Sequence, residues 1–161
     1  MTIKEIECLA SSFRRGIEIA HEERLFKTQP FLNFPNACCT DAPDLLAQYL
    51  MEHDLAHSIK CKYVCGTYDY DDYYHKFSHA WLEINGNIIV DITADQKQFQ
   101  DEKIFPQNAF MPCFVGEYSK FHSLFRVCQS QCRDICDLRY LGDISCARMQ
   151  ALYETIVNCI R

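Results

Sequence analysis

The segment from Phe77 to Thr93 restricts the fold of this chain more than any other. Two apolar runs, Phe77–Ile84 and Ile88–Thr93, flank Asn85-Gly86-Asn87, residues that tolerate the backbone of a tight turn. The spacing predicts an antiparallel β-hairpin. Each run carries a polar residue that packing does not call for: His79 in Ser78-His79-Ala80-Trp81, and Asp91 in Val90-Asp91-Ile92-Thr93. An acid inside an apolar strand needs a partner. The turn decides whether His79 is that partner. A two-residue Asn85-Gly86 turn sets Asp91 opposite Ala80 and sends the two side chains to opposite faces. A three-residue loop sets Asp91 opposite Trp81, with His79 its diagonal neighbour on the same face, at roughly 7–8 Å between backbones. A His79–Asp91 pair therefore requires the longer loop or a bulge.

Upstream, Asn36-Ala37-Cys38-Cys39-Thr40-Asp41 leads into a stretch with helical spacing. A helix is expected over about residues 40–53, with Leu45, Leu46, Tyr49 and Leu50 as its buried face. Pro43 fits only a first turn, so that helix starts at or just after Cys39. A thiol at a helix N-terminus beside an imidazolium has a lowered pKa. The chain order Cys, His, Asp is thus that of a nucleophile, its base and the group that orients the base. Cys38 and Cys39 are adjacent and cannot point the same way; Cys39 is preferred, because it stands at the helix mouth. An oxyanion needs donors. The Cys39 N–H is one, and Asn33 or Asn36 offers a side-chain amide between which the sequence does not choose. Trp81 and Gln96 are further substrate-side candidates, and Asp95 and Gln96 either border the cleft or form a surface turn.

Elsewhere, residues 3–25 read as a helix, with Ile3, Ile6, Leu9, Ala10, Phe13, Ile17 and Ala20 on one face. Residues 27–37 are loop. Ile59, Cys61, Tyr63 and Cys65 alternate as a strand that Gly66 ends. Thr67–Tyr74 is a polar aromatic loop at the surface. A long loop over 94–108 precedes a short strand, Phe110–Val115. The tail is helical, most clearly over 143–160, with Ile144, Leu152, Ile156 and Ile160 on one face. The expected fold class is α+β, with helices packed on an antiparallel sheet.

At 161 residues and 48% hydrophobic, the chain is read as one domain, 1–161. A net charge of -6 argues against a nucleic-acid scaffold. The N-terminal segment carries acids where a signal peptide would be apolar, and no run is long enough to span a membrane. The expected location is the cytosol, or a target cell's cytosol if the protein is delivered as an effector or toxin. Eleven cysteines, an odd number, are read as mostly reduced. Cys61, Cys65, Cys113 and Cys146 are expected as small buried hydrophobes. Cys128, Cys132 and Cys136 recur every four residues near His122, and are expected to line one helix face rather than to bind zinc, which favours closer pairs.

The three words resemble the transglutaminase-like branch of the papain-like cysteine hydrolases. Bacterial members often show Gly-x-Cys-x-Asp opening a Leu-rich helix, then His-Ala-Trp-x-Glu, a short turn and Asp-x-Thr. Here these are Ala37-Cys38-Cys39-Thr40-Asp41, with Ala in the Gly position, His79-Ala80-Trp81-Leu82-Glu83, and Asp91-Ile92-Thr93. The resemblance covers roughly residues 30–95. It implies a papain-like core and attack on an amide, either a peptide bond or a glutamine carboxamide, to give a thioester. Cys39, His79 and Asp91 would carry that step, without metal or organic cofactor, on a protein or peptide substrate. Protease, deamidase and transglutaminase activities all belong to this group. A catalytically inactive protein-binding domain of the same fold is the rival class, and a metal-binding regulator using the C-terminal cysteines a second.

Overall fold

The computed structural model describes residues 1–70, 75–101, 105, 111–138 and 143–160. Helix α1, Ile3–Glu22, opens on a capping box: the Thr2 hydroxyl accepts the Glu5 N–H, and the Glu5 carboxylate accepts the Thr2 N–H at 2.6 Å. Its buried stripe of Ile6, Ala10, Phe13, Ile17 and Ala20 follows the expected helical spacing, whereas Ile3 is exposed. Helix α2, Ala42–His53, buries Leu45, Leu46, Tyr49 and Leu50 as read from the sequence. It begins later than expected. Residues 39–41 form a turn in which the Asp41 and Ala42 N–H groups both donate to the Cys38 carbonyl.

Helix α3, Asp143–Asn158, packs on α1. Leu152 and Ile156 are buried and Ile160 partly so; the Ile144 side chain lies outside those described. Gly16 allows the approach. A Cβ there would meet Ile160 Cγ1 at 2.7 Å and the Ile156 carbonyl oxygen at 2.9 Å. Gly16→Ala gains helix propensity but overpacks this contact, so a net loss of about 1–2 kcal/mol is expected. A lower melting temperature is the readout; an unchanged or raised one would mean that the helices separate there without cost.

Among the described residues, six strands form one sheet: β1 Cys61–Tyr70, β2 His75–Ile84, β3 Ile88–Asp91, β4 Phe114–Gly116, β5 Arg126–Val127 and β6 Arg133–Asp134. The order is β4-β3-β2-β1, and β5 and β6 lie one after the other along the outer edge of β1. Every pairing is antiparallel. The molecule is therefore α+β, with three helices among the described residues on an open antiparallel sheet. In the hairpin, Ile84 faces Ile88 and Leu82 faces Val90, so the loop is the three-residue Asn85-Gly86-Asn87. Alternate residues of β2 divide between two cores. Ala80, Leu82 and Ile84 face the helices. Trp81 faces an aromatic cover of Phe99, Phe105, Phe121 and Phe125. Among the described residues, no helix is long and apolar enough to cross a membrane.

Several sequence expectations are corrected. Gly66 does not end β1 but sits inside it. A Cβ at that position would come within 2.8 Å of Phe125 and 3.3 Å of the Trp81 ring, so Gly66 is there for close approach. Tyr68 consequently belongs to β1 and joins the aromatic cover rather than a surface loop; residues 71–74 of that loop lie outside the described residues. The short strand is displaced to Phe114–Gly116, where it pairs with β3, and Phe110 lies outside the described residues. The part of the long 94–108 loop that is described contains a 3-10 turn, Lys97–Phe99. Finally, Cys128, Cys132 and Cys136 share no helix. The edge of β1 takes up this segment as β5 and β6 on either side of a 3-10 turn, with the Cys128 N–H donating to the Cys65 carbonyl at 2.8 Å. Cys61 is fully buried, but Cys65, Cys113 and Cys146 are only partly so.

Candidate active site

The three-residue loop sets Asp91 on the same sheet face as His79, and the two side chains meet. His79 Nε2 lies 2.6 Å from Asp91 Oδ2, and both residues are buried. The other oxygen, Oδ1, accepts the Thr93 N–H at 2.8 Å and the Thr93 hydroxyl at 3.2 Å. Those bonds turn the chain, which is why β3 stops at Asp91 instead of reaching Thr93. Beyond that point the Ala80 N–H has no β3 rung and lies toward the Cys39 sulfur.

Cys39 thus sits where the sheet opens, close enough to His79 for the imidazole to stabilise its thiolate. Burial raises its pKa, but the His79 hydrogen bond and charge, the Gln96 amide and the Ala80 N–H outweigh burial, and the net shift is downward. Cys39 stands three residues before Ala42, where α2 begins, rather than at the first residue of the helix. His79 moves the opposite way. Burial disfavours its cation, yet the Asp91 charge and hydrogen bond, with Cys39, raise it to about 9. Asp91 is held well below the usual carboxylate range: burial opposes ionisation, and the His79 charge with the His122 and His79 hydrogen bonds overcomes it. Both shifts act in the same direction, toward a thiolate–imidazolium pair.

Cys38 is excluded from this arrangement. Its thiol points into the core, donates to the Asn36 carbonyl at 3.1 Å, and is pushed up to about 12 by burial.

Gln96 is buried and anchored on both sides. Its Oε1 accepts the Ala37 N–H at 3.1 Å, and its Nε2 donates to the Thr93 carbonyl at 3.0 Å. The same Nε2 lies 3.4 Å from His79 Nδ1, and the amide helps to stabilise the Cys39 thiolate. The other substrate-side candidates divide. Asn36 lines the cleft, with its side-chain oxygen bound by the Lys97 N–H at 2.8 Å. Asn33 does not line it: it is exposed, at the end of the 3-10 turn Phe31–Asn33. Trp81 does not line it either, because its face of β2 is covered by the aromatic cluster; it is 4% exposed and packs its ring 6.1 Å from that of His79. Asp95 is paired bidentately with the buried Arg14, at 2.8 Å for each oxygen, and does not reach the cleft.

The open cleft above Cys39 has a volume of about 640 Å³ and is lined by Asn36, Ala37, Thr40, Ser78, Gln96 and Lys97, among others. Ala37 adopts a φ of +58°, the left-handed region that glycine occupies without strain. This is the position where the transglutaminase-like word has Gly. Ala37→Gly should stabilise the protein by about 1 kcal/mol through relief of that strain, less the entropy that glycine adds to the unfolded chain. A melting temperature that falls would show that the turn prefers a side chain there.

One residue of the site has no counterpart in the sequence argument. His122 Nε2 lies 2.9 Å from Asp91 Oδ2, the oxygen that His79 also uses. Sequence reading placed His122 only near the C-terminal cysteines; a histidine between Phe121 and Phe125 was the available signal for a buried ring. His79, Asp91 and His122 present ligand atoms within 4.8 Å of one another. A tetrahedral metal shell with bonds near 2.0–2.1 Å would set those atoms roughly 3.3 Å apart. The 2.6 and 2.9 Å separations fit N–H···O hydrogen bonds instead.

Searches of protein-family models, of curated proteins and of solved structures each found no match to this chain.

Proposed function

We propose that this protein is a cysteine-dependent amide hydrolase or acyltransferase that works through a thioester, with Cys39 as nucleophile, His79 as base and acid, and Asp91 as orienter. The observation that carries this reading is the buried His79 imidazole, whose Nε2 is on Asp91 and which neighbours the Cys39 thiol. The Nε2–H held by Asp91 leaves the Nδ1 lone pair for the thiol proton, the tautomer that a general base needs.

In the proposed reaction, His79 Nδ1 takes the Cys39 proton and the sulfur attacks the amide carbonyl carbon. The C–S bond forms as the carbonyl π pair moves onto oxygen. The Cys39 N–H and the second Gln96 Nε2–H are the donors that meet this oxyanion. Gln96 is suited to it because its other two polar contacts fix the amide in advance. Collapse expels the amine, which receives the proton from His79. Water or a second amine then attacks the thioester with His79 again as base, and the thiol is restored. Asp91 stays ionised throughout.

The resemblance to transglutaminase-like enzymes agrees with this chemistry and extends it to protein or peptide substrates; the acidic N-terminal segment favours a cytosol, the protein's own or a target cell's. The test is incubation with candidate protein partners, read by mass spectrometry. A gain of about one mass unit at glutamine marks hydrolysis of a carboxamide, a cut marks proteolysis, and a joined pair marks acyl transfer to an amine. Absence of all three, with a Cys39 that traps no acyl group from activated esters, would remove the proposal.

A further inference from the structure

His122 is buried beside the Asp91 carboxylate, and the proposed reaction leaves it unused. Its side chain is almost fully enclosed, with its ring set edge-on to Trp81 at 5.0 Å and to Phe121 at 5.1 Å, and near Phe114 at 5.6 Å. Its backbone is fixed by the turn after Ser119, whose hydroxyl accepts the His122 N–H at 3.3 Å. Nε2 is paired with Asp91 Oδ2, whereas Nδ1 is buried with no hydrogen-bond partner among the described residues. A buried donor without an acceptor costs more than a bare lone pair, so the ring carries its hydrogen on Nε2. Asp91 Oδ2 then accepts two N–H groups, from His79 and from His122, while Thr93 supplies two more donors to Oδ1.

We propose that His122 is a positioning residue for His79: it donates its Nε2–H to the Asp91 oxygen that His79 shares, fixes that carboxylate, and limits how firmly Asp91 holds the His79 proton. This rests on the reading of His79 as the base. Sharing matters because a carboxylate oxygen with a second donor is a weaker acceptor for the first. Without His122, Oδ2 would have His79 alone, the imidazolium would be held more tightly, and the proton needed by the leaving amine would be released less readily. The titratable groups facing this centre are few. Cys39 and Asp91 bracket His79, Cys113 lies toward Asp91, and Cys38, Cys65 and Tyr63 lie toward Cys39. The Arg14–Asp95 pair lies beyond Cys38. Among these, His122 alone shares the oxygen that His79 uses.

The test compares wild type, His122→Phe and His122→Gln by the rate of Cys39 alkylation with iodoacetamide across pH, a readout that needs no substrate. In wild type the rate should change again where the imidazolium is lost. His122→Phe keeps the ring volume and removes the donor, and should move that upper inflection to higher pH by about one unit. His122→Gln restores an N–H toward Asp91 and should return the inflection toward the wild-type position. An inflection that stays in place in a folded Phe variant would overturn the proposal, leaving His122 as packing. If the Phe variant does not fold, ring-nitrogen spectra of isotope-labelled wild type decide instead: the Nε2–H form at His122 is expected, and the Nδ1–H form would overturn it. A wild type whose Cys39 profile is unaffected by His79→Ala would remove the proposed function itself. That outcome is distinct from a failure confined to His122.

Discussion

Asp91→Asn is expected to lower turnover by about four orders of magnitude, and the hydrogen-bond inventory explains why. All four partners of this carboxylate are donors: His79 and His122 on one oxygen, the Thr93 N–H and hydroxyl on the other. Asparagine has one acceptor oxygen and one NH2 group. If its NH2 faces Thr93, two N–H groups oppose each other. If it faces the histidines, His79 must carry its hydrogen on Nδ1, which then points a donor at Cys39 and leaves the thiol without a base. Either arrangement also costs about 1–3 kcal/mol of stability. Thermal melting of the variant should therefore show a folded but weakened protein whose rate loss far exceeds its stability loss. Near-normal turnover would mean that another group orients His79; Asp95, the alternative by sequence, is tied to Arg14.

Cys39→Ala should abolish thioester formation outright, while Cys38→Ala should leave turnover within a few-fold of wild type and cost stability instead. The contrast follows from environment. Cys39 faces His79, Gln96 and the cleft, whereas Cys38 is fully buried and donates to backbone carbonyls. Removal of a well-packed thiol leaves a small cavity, worth about 1 kcal/mol or more. Trapping of an acyl group from an activated ester, followed by intact-mass measurement, separates the two variants. Acylation of the Cys39→Ala protein at Cys38 would place the nucleophile one residue earlier.

The hairpin was legible because register follows from turn length and alternation. The requirement that His79 and Asp91 share a face selects the three-residue loop, and the loop is present. The helical stripes of α1 and α2 were legible for the same reason: burial follows spacing. What escaped depends on long-range partners. Gly66 looks like a strand end until Phe125 and Trp81 are seen against its backbone. The four-residue cysteine spacing suggests a helix, but the open edge of β1 takes up that segment as two short strands. Gln96 was legible only as a polar residue after the Asp91 strand; its anchors are the Ala37 N–H, 59 positions away, and the Thr93 carbonyl. His122 joins Asp91 across 31 positions through a turn with no motif of its own, so no local pattern marks it.

The most direct measurement is the order in which the eleven cysteines react with limiting iodoacetamide at mildly acidic pH. An ordinary thiol there is almost wholly protonated and slow. Thiolate accumulates as pH rises through a thiol's pKa, and Cys39 is shifted down while Cys38, Cys61, Cys65 and Cys113 are shifted up. The paired imidazolium persists until the pH passes about 9. Cys39 should therefore be labelled first, and His79→Ala should erase that advantage. Labelling spread evenly over the exposed thiols, or a Cys39 preference that survives His79→Ala, would contradict the ion pair on which the proposed function stands.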